Sequence, residues 1–162
     1  MNSLRSINKI KEYYNSGQNV MEFLRNKESE GNDFENIMIS YDLQAGSYIE
    51  FAKKNKDYIN SYTESIAKVI SDLGDFESIM EIGVGEATIM TPLMKKVDPA
   101  VKRKKFGFDI SWSRTRYAKA YSNEFGLDAD FFIANLFSIP LPDNSIDIVY
   151  TSHSLEPNGG KE

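Results

Sequence analysis

The stretch Ile79-Met80-Glu81-Ile82-Gly83-Val84-Gly85-Glu86-Ala87-Thr88 decides how this chain is read. An apolar run with β-branched residues reads as a strand leaving a core, and it gives way at once to two glycines one residue apart. Without a Cβ the backbone turns sharply at Gly83 and Gly85, so a phosphate- or nucleoside-sized ligand can lie against bare amides. Glu81 precedes the glycines at the end of the strand, where its side chain reaches a ligand held over the loop.

Upstream, Ile59, Tyr62, Ile66, Val69, Ile70 and Leu73 share one face of an amphipathic helix that starts near Tyr58 and stops at Gly74. Downstream, Ile89, Leu93, Met94 and Val97 predict a helix, in which Pro92 requires a late start or a bend. Residues 106–110 form a second predicted strand. Ser111 or Ser113 then caps a helix carrying Tyr117, Ala118, Tyr121 and Phe125 and closing at Gly126. Residues 131–134 make a third strand and, after the turn at 140–145, residues 146–150 a fourth. Asp147 lies within that last strand and reads as structural.

Residues 1–54 differ in character, being polar and rich in lysine and asparagine, with apolar residues at helical spacing. Leu4, Ile7, Ile10 and Tyr14 predict one short helix. Phe34, Ile37, Met38 and Tyr41 predict another behind a cap at Asn32-Asp33, with a charged loop over 25–33 between them. The predicted division is a helical cap or extension over 1–54 and a partial α/β domain over 55–162.

Alternating strands and helices imply parallel strands, right-handed crossovers and helices on both faces of a doubly wound, mostly parallel sheet. In such sheets ligands bind beyond the carboxyl ends of the strands, where strand order reverses. Glu81 with the glycines, Asp109, Asn135 and Thr151-Ser152-His153 all fall at those ends, so one pocket collects them.

Composition narrows the chemistry. With 162 residues, 41% of them hydrophobic, the chain buries one core with decoration. A net charge of −5 argues against a general nucleic-acid binder, and Lys102-Arg103-Lys104-Lys105, the one dense basic run, reads as a solvated connection. The absence of cysteine excludes disulfides, thiolate metal sites and cysteine nucleophiles, and no zinc-ligand spacing is present. No apolar run approaches the roughly 20 residues that span a bilayer. A cytoplasmic protein is expected.

These residues resemble the class I S-adenosylmethionine-dependent methyltransferases. The family's first motif, an acid followed by three alternate glycines, is similar to Glu81-Ile82-Gly83-Val84-Gly85-Glu86-Ala87, with Ala87 in place of the last glycine. The resemblance continues at Asp109-Ile110, where the family places an acid on the ribose hydroxyls, and at Asn135-Leu136, where it usually has an aspartate near the adenine amino group. Asparagine still accepts a hydrogen bond there through its amide oxygen. The run from Ile139 to Val149, with its proline-aspartate turn, also resembles small-molecule methyltransferases.

The resemblance implies a Rossmann-like fold, S-adenosyl-L-methionine as cofactor, and methyl transfer to a small-molecule or glycan-precursor acceptor. It places Glu81, Gly83, Gly85, Asp109, Ile110, Asn135 and Leu136 against the cofactor, and Tyr41 and Tyr48 in a lid or substrate wall. His153, the one histidine, is the local candidate for a base. Family members carry a further helix, a fifth strand and a final hairpin, so the expectation is the N-terminal part of a longer enzyme with its C-terminal strands missing. The fourth strand would then be an edge open to self-association. Two alternatives remain: a catalytically silent cofactor-binding fragment or interaction module, and a nicotinamide-binding Rossmann domain, whose third glycine would fall at Thr88.

Overall fold

The computed structural model describes residues 12, 15–18, 34–100 and 102–155. The helix expected around Leu4, Ile7, Ile10 and Tyr14, the cap at Asn32-Asp33 and the loop over 25–33 lie outside the described residues. Three helices, α1 (Phe34–Leu43), α2 (Ser47–Lys54) and α3 (Lys56–Asp72), precede β1 (Ser78–Ile82). There follow α4 (Met90–Val97), β2 (Lys104–Asp109), α5 (Trp112–Glu124), β3 (Asp130–Ile133) and β4 (Ile148–Thr151).

The sheet runs β3-β2-β1-β4, with all three pairings parallel. Strand order advances from β1 to β3, then returns past β1 to place β4 at the opposite edge. The reversal therefore falls between β1 and β4, beside the glycine turn.

Side chains alternate across each strand and build two cores. On one face Ile79, Val84, Leu93, Met94, Ala118 and the α3 residues Ala67 and Ile70 form the larger cluster, with Phe131 and Tyr150 packed against it. On the other, Met80 and Phe108 pack with Leu136, Ile139, Leu141 and Ile146 from the connection between β3 and β4. Among the described residues this second layer is non-helical, whereas helices were expected on both faces. Within it, Asn144 takes a φ of 56° in the turn before β4.

Several local expectations shift. Val69 and Leu73 are exposed, because the buried stripe of α3 runs through Ile59, Thr63, Ala67 and Ile70. Pro92 sits inside α4 without breaking it: Thr91 N–H donates to Ala87 O and Leu93 N–H to Ile89 O, and the proline removes only the bond between them, within the first turn. Asp147 stands just before β4. Its Oδ2 accepts from the N–H groups of Glu77 (2.9 Å) and Ser78 (2.8 Å) and from Ser78 Oγ (2.9 Å), which pins the β1–β4 register.

The basic run is solvated only in part, at Lys102 and Lys104. It enters β2, so strand alternation turns Lys105 inward, where its Nζ lies 2.7 Å from Asp98 Oδ2 and 2.6 Å from Arg103 O. Arg103 covers the Phe76 ring at 3.9 Å and donates to Val97 O. Burial disfavours the Asp98 charge, but Lys105 and the N–H groups of Arg103 and Lys102 outweigh it and hold the carboxyl below its ordinary range. No helix among the described residues is long and apolar enough to cross a membrane. Removing one member of a buried ion pair strands the other charge, so Lys105→Met is expected to lose about 3 kcal/mol in urea unfolding. A loss under about 1 kcal/mol would show that the pair contributes little.

Candidate functional site

The carboxyl ends of the strands and the helices before β1 enclose one cleft of about 500 Å³. The residues expected at the cofactor, lid and base positions border it, namely Glu81, Gly83, Gly85, Asp109, Ile110, Asn135, Leu136, Tyr41, Tyr48 and His153, whereas Thr151 at the end of β4 does not.

Its floor is the turn out of β1, where Gly83, Gly85 and Ala87 take φ values of 64°, 55° and 56°. Glycine adopts this left-handed conformation freely; alanine does so at roughly 1 kcal/mol. Ala87 is fully buried, so packing holds it there, and its departure from the glycine pattern is a strained one. Val84 N–H donates to Phe108 O at 2.8 Å, tying the turn to β2. A Cβ on Gly83 would lie 2.2 Å from Ser154 Cβ, because the loop after β4 crosses directly over it.

Glu81 is 1% exposed and accepts from Tyr150 Oη at 3.0 Å and from Ser152 Oγ. Burial pushes its carboxyl up to about 8; the two hydroxyl donors oppose this, and the Asp109 charge adds to it. Tyr150 is raised well above the ordinary phenol range, first by burial and then by Glu81. Burial also raises Asp109, against the N–H groups of Ser111 (2.8 Å) and Gly85 (2.9 Å) and the charge of Arg114. Ser111, rather than Ser113, caps α5, its Oγ accepting from Arg114 N–H.

Asn135 shapes a turn. Its Oδ1 accepts from Phe137 N–H at 2.9 Å, and its backbone bridges to Ser138. His153 has a φ of 61° and stacks on Tyr62 at 5.6 Å, closing a row of rings that runs from Phe51 through Tyr58 and Tyr62.

Two bordering charged residues escaped the sequence reading. Glu86, 1% exposed, accepts from the N–H groups of Gly46 and Ile49, both at 2.8 Å, and so anchors the start of α2 to the glycine turn. Arg114, 6% exposed, lies over the rings of Tyr41 (4.3 Å) and Tyr48 (4.6 Å). It shares a buried face of α5 with Thr115, Ala118 and Ser122, and that face carries no large apolar residue to mark it in the sequence. For Glu86 the only signal was a charged residue between Gly85 and Ala87.

A family model described as a methyltransferase domain matches residues 79–159, half of the chain. No curated protein matches it. Among solved structures, the chain is similar to a S-adenosylmethionine-dependent methyltransferase from Aquifex aeolicus, with 23% identity over 57% of this chain and 55% of that one and a TM-score of 0.45. A second, from Clostridium acetobutylicum, has 12% identity over 65% and 42%, with a TM-score of 0.49. A third, the magnesium protoporphyrin IX methyltransferase of Synechocystis with bound S-adenosylhomocysteine, has 14% identity over 89% and 57%, with a TM-score of 0.44. The chain thus spans about half the length of the Aquifex protein.

The burial of Glu81 links stability to pH. A carboxyl raised from 4.5 to about 8 on folding stabilises the folded state fully below pH 4.5, and this contribution is lost as pH rises through about 8. Asp98 and Asp147, both lowered, act in the opposite sense, but only below their ordinary 3.8. The thermal midpoint is therefore expected to fall between pH 5 and pH 8, and Glu81→Gln to flatten that slope; equal slopes in both proteins would exclude a neutral Glu81.

Proposed function

This chain belongs to the methyltransferase domain family, and we propose that its cleft holds S-adenosylmethionine and serves methyl transfer to a small-molecule or glycan-precursor acceptor. The observation that carries this reading is the convergence of Glu81, the left-handed turn at Gly83 and Gly85, and Asp109 on one cleft at the strand-order reversal. The residues fit such a cofactor. A cleft of about 500 Å³ suits a nucleoside-sized ligand, and three bordering acids, Glu81, Glu86 and Asp109, against one bordering guanidinium, Arg114, favour a cation.

When bound, the cofactor supplies a sulfonium-activated methyl carbon open to displacement. The chain contributes alignment and exclusion of water. Glu81 would face the cationic end of the cofactor, as the acid at the end of β1. Asp109 accepts from the ribose hydroxyls, Ile110 and Leu136 line the adenine, and Asn135 stands at its edge. Tyr41 and Tyr48 form the lid, and together with the ring row ending at His153 they make an aromatic wall that keeps the cleft poor in water. Holding nucleophile and methyl in line there supplies most of the acceleration. His153 serves as base where the acceptor carries a proton that must leave. The same excess of acid disfavours a phosphate-rich acceptor.

Calorimetry tests the proposal. S-adenosylmethionine and S-adenosylhomocysteine are expected to bind, and NAD is not. Gly83→Ala, which drives a Cβ into Ser154, and Asp109→Ala are each expected to weaken S-adenosylhomocysteine about 10-fold or more. Unchanged affinity in both variants would remove this site, and binding of NAD in place of the two sulfur nucleosides would remove the cofactor.

A further inference from the structure

Arg114 is the cation of the cleft, and its environment does not satisfy it. Its side chain is more than nine-tenths buried, Nε reaches Tyr41 O at 3.4 Å, and Nη2 is buried with no hydrogen-bond acceptor among the described residues. A buried guanidinium N–H without an acceptor is costly, and the side chain that carries it borders the ligand cleft. We propose that Arg114 is a specificity residue for the ligand's sugar, donating from Nη2 to a ribose hydroxyl whose own proton goes to Asp109.

Geometry and charge select a hydroxyl. Arg114 and Asp109 flank the same glycine: Gly85 N–H donates to Asp109 Oδ2 at 2.9 Å, and a Cβ built on Gly85 would lie 3.8 Å from Arg114 Nη1. Each Asp109 oxygen already takes one backbone N–H and keeps a further lone pair. A hydroxyl both donates and accepts, so a single group satisfies the acid and the base together, whereas a carboxylate can only accept. The Arg114 charge already acts on Asp109, and Asp42 lies close enough to raise the same group. An incoming carboxylate would be a third acid around one cation, while a hydroxyl adds no charge.

The rings of Tyr41 and Tyr48 both lie against the guanidinium, and Ser111 fixes the first turn of α5, so the side chain is held in place before a ligand arrives. Such a pair reads ribose against deoxyribose, because the deoxy ligand leaves buried polar groups unmatched.

The inference rests on the cofactor reading, and calorimetry with three probes separates the two. Wild type, Arg114→Met and Arg114→Lys are titrated with S-adenosylhomocysteine, with its 2′,3′-dideoxy analogue, and with 5′-methylthioadenosine, which keeps the ribose and lacks the carboxylate. Both variants are expected to lose about 10-fold for the two ribose-bearing ligands and less than about 2-fold for the dideoxy analogue. Should Arg114→Met not fold, Arg114→Lys, which keeps charge and stem but lacks the planar fork, carries the comparison. Equal losses for all three ligands would mean that Arg114 only packs the tyrosines, and would overturn the assignment. A loss confined to S-adenosylhomocysteine and its dideoxy analogue would reassign Nη2 to a carboxylate. Tight binding by wild type with unchanged variants removes the sugar role alone; no binding of S-adenosylhomocysteine by wild type removes the cofactor reading with it.

Discussion

The cleft depends on the left-handed turn out of β1. Three residues in five positions, Gly83, Gly85 and Ala87, take positive φ, and the two between them, Val84 and Glu86, send their side chains into buried surroundings. This alternation keeps the chain close to the sheet, with the N–H groups of Val84, Gly85 and Ala87 all bonded within the protein. Because Val84 N–H is bound to Phe108 O and Gly85 N–H to Asp109, the turn is set by β2 as much as by β1. A disturbance at either strand end reaches the other through two hydrogen bonds.

The segment before the sheet is fastened to these same places. Asp42 accepts from Ser111 Oγ and from Ser113 N–H, holding the end of α1 to the start of α5. Arg114 stacks on Tyr41 and Tyr48, and Glu86 holds the beginning of α2. These attachments lie at the turns after β1 and β2, where Glu81 and Asp109 also stand. The helices before β1 and the floor of the cleft are therefore fastened together at several points.

Much of this was legible in the sequence, because strands, glycine punctuation and acids at strand ends are local signals. β1, its turn and Asp109 followed from patterns a few residues long. Other features required the tertiary fold. Lys105 looked solvated beside three other basic residues, yet strand alternation carried it inward to Asp98. Asn135 matched a ligand position and is also used to build a turn. The donors that Glu86 binds are 40 and 37 residues away, a pairing no short pattern encodes. Arg114 was hidden differently: its face of α5 carries threonine, alanine and serine rather than large apolar groups, so the buried stripe gave no hydrophobic signal.

Glu86 bears finally on how a ligand is retained. Ile37, Tyr41, Tyr48 and Phe51 line the cleft on the side of the helices before β1. The start of α2 cannot lift without releasing both N–H groups from a carboxylate that is 1% exposed. Each charge-assisted bond resists that step by about 1.5–3 kcal/mol. A ligand held against this side of the cleft is thus retained in part by a residue that reaches α2 from within the glycine turn.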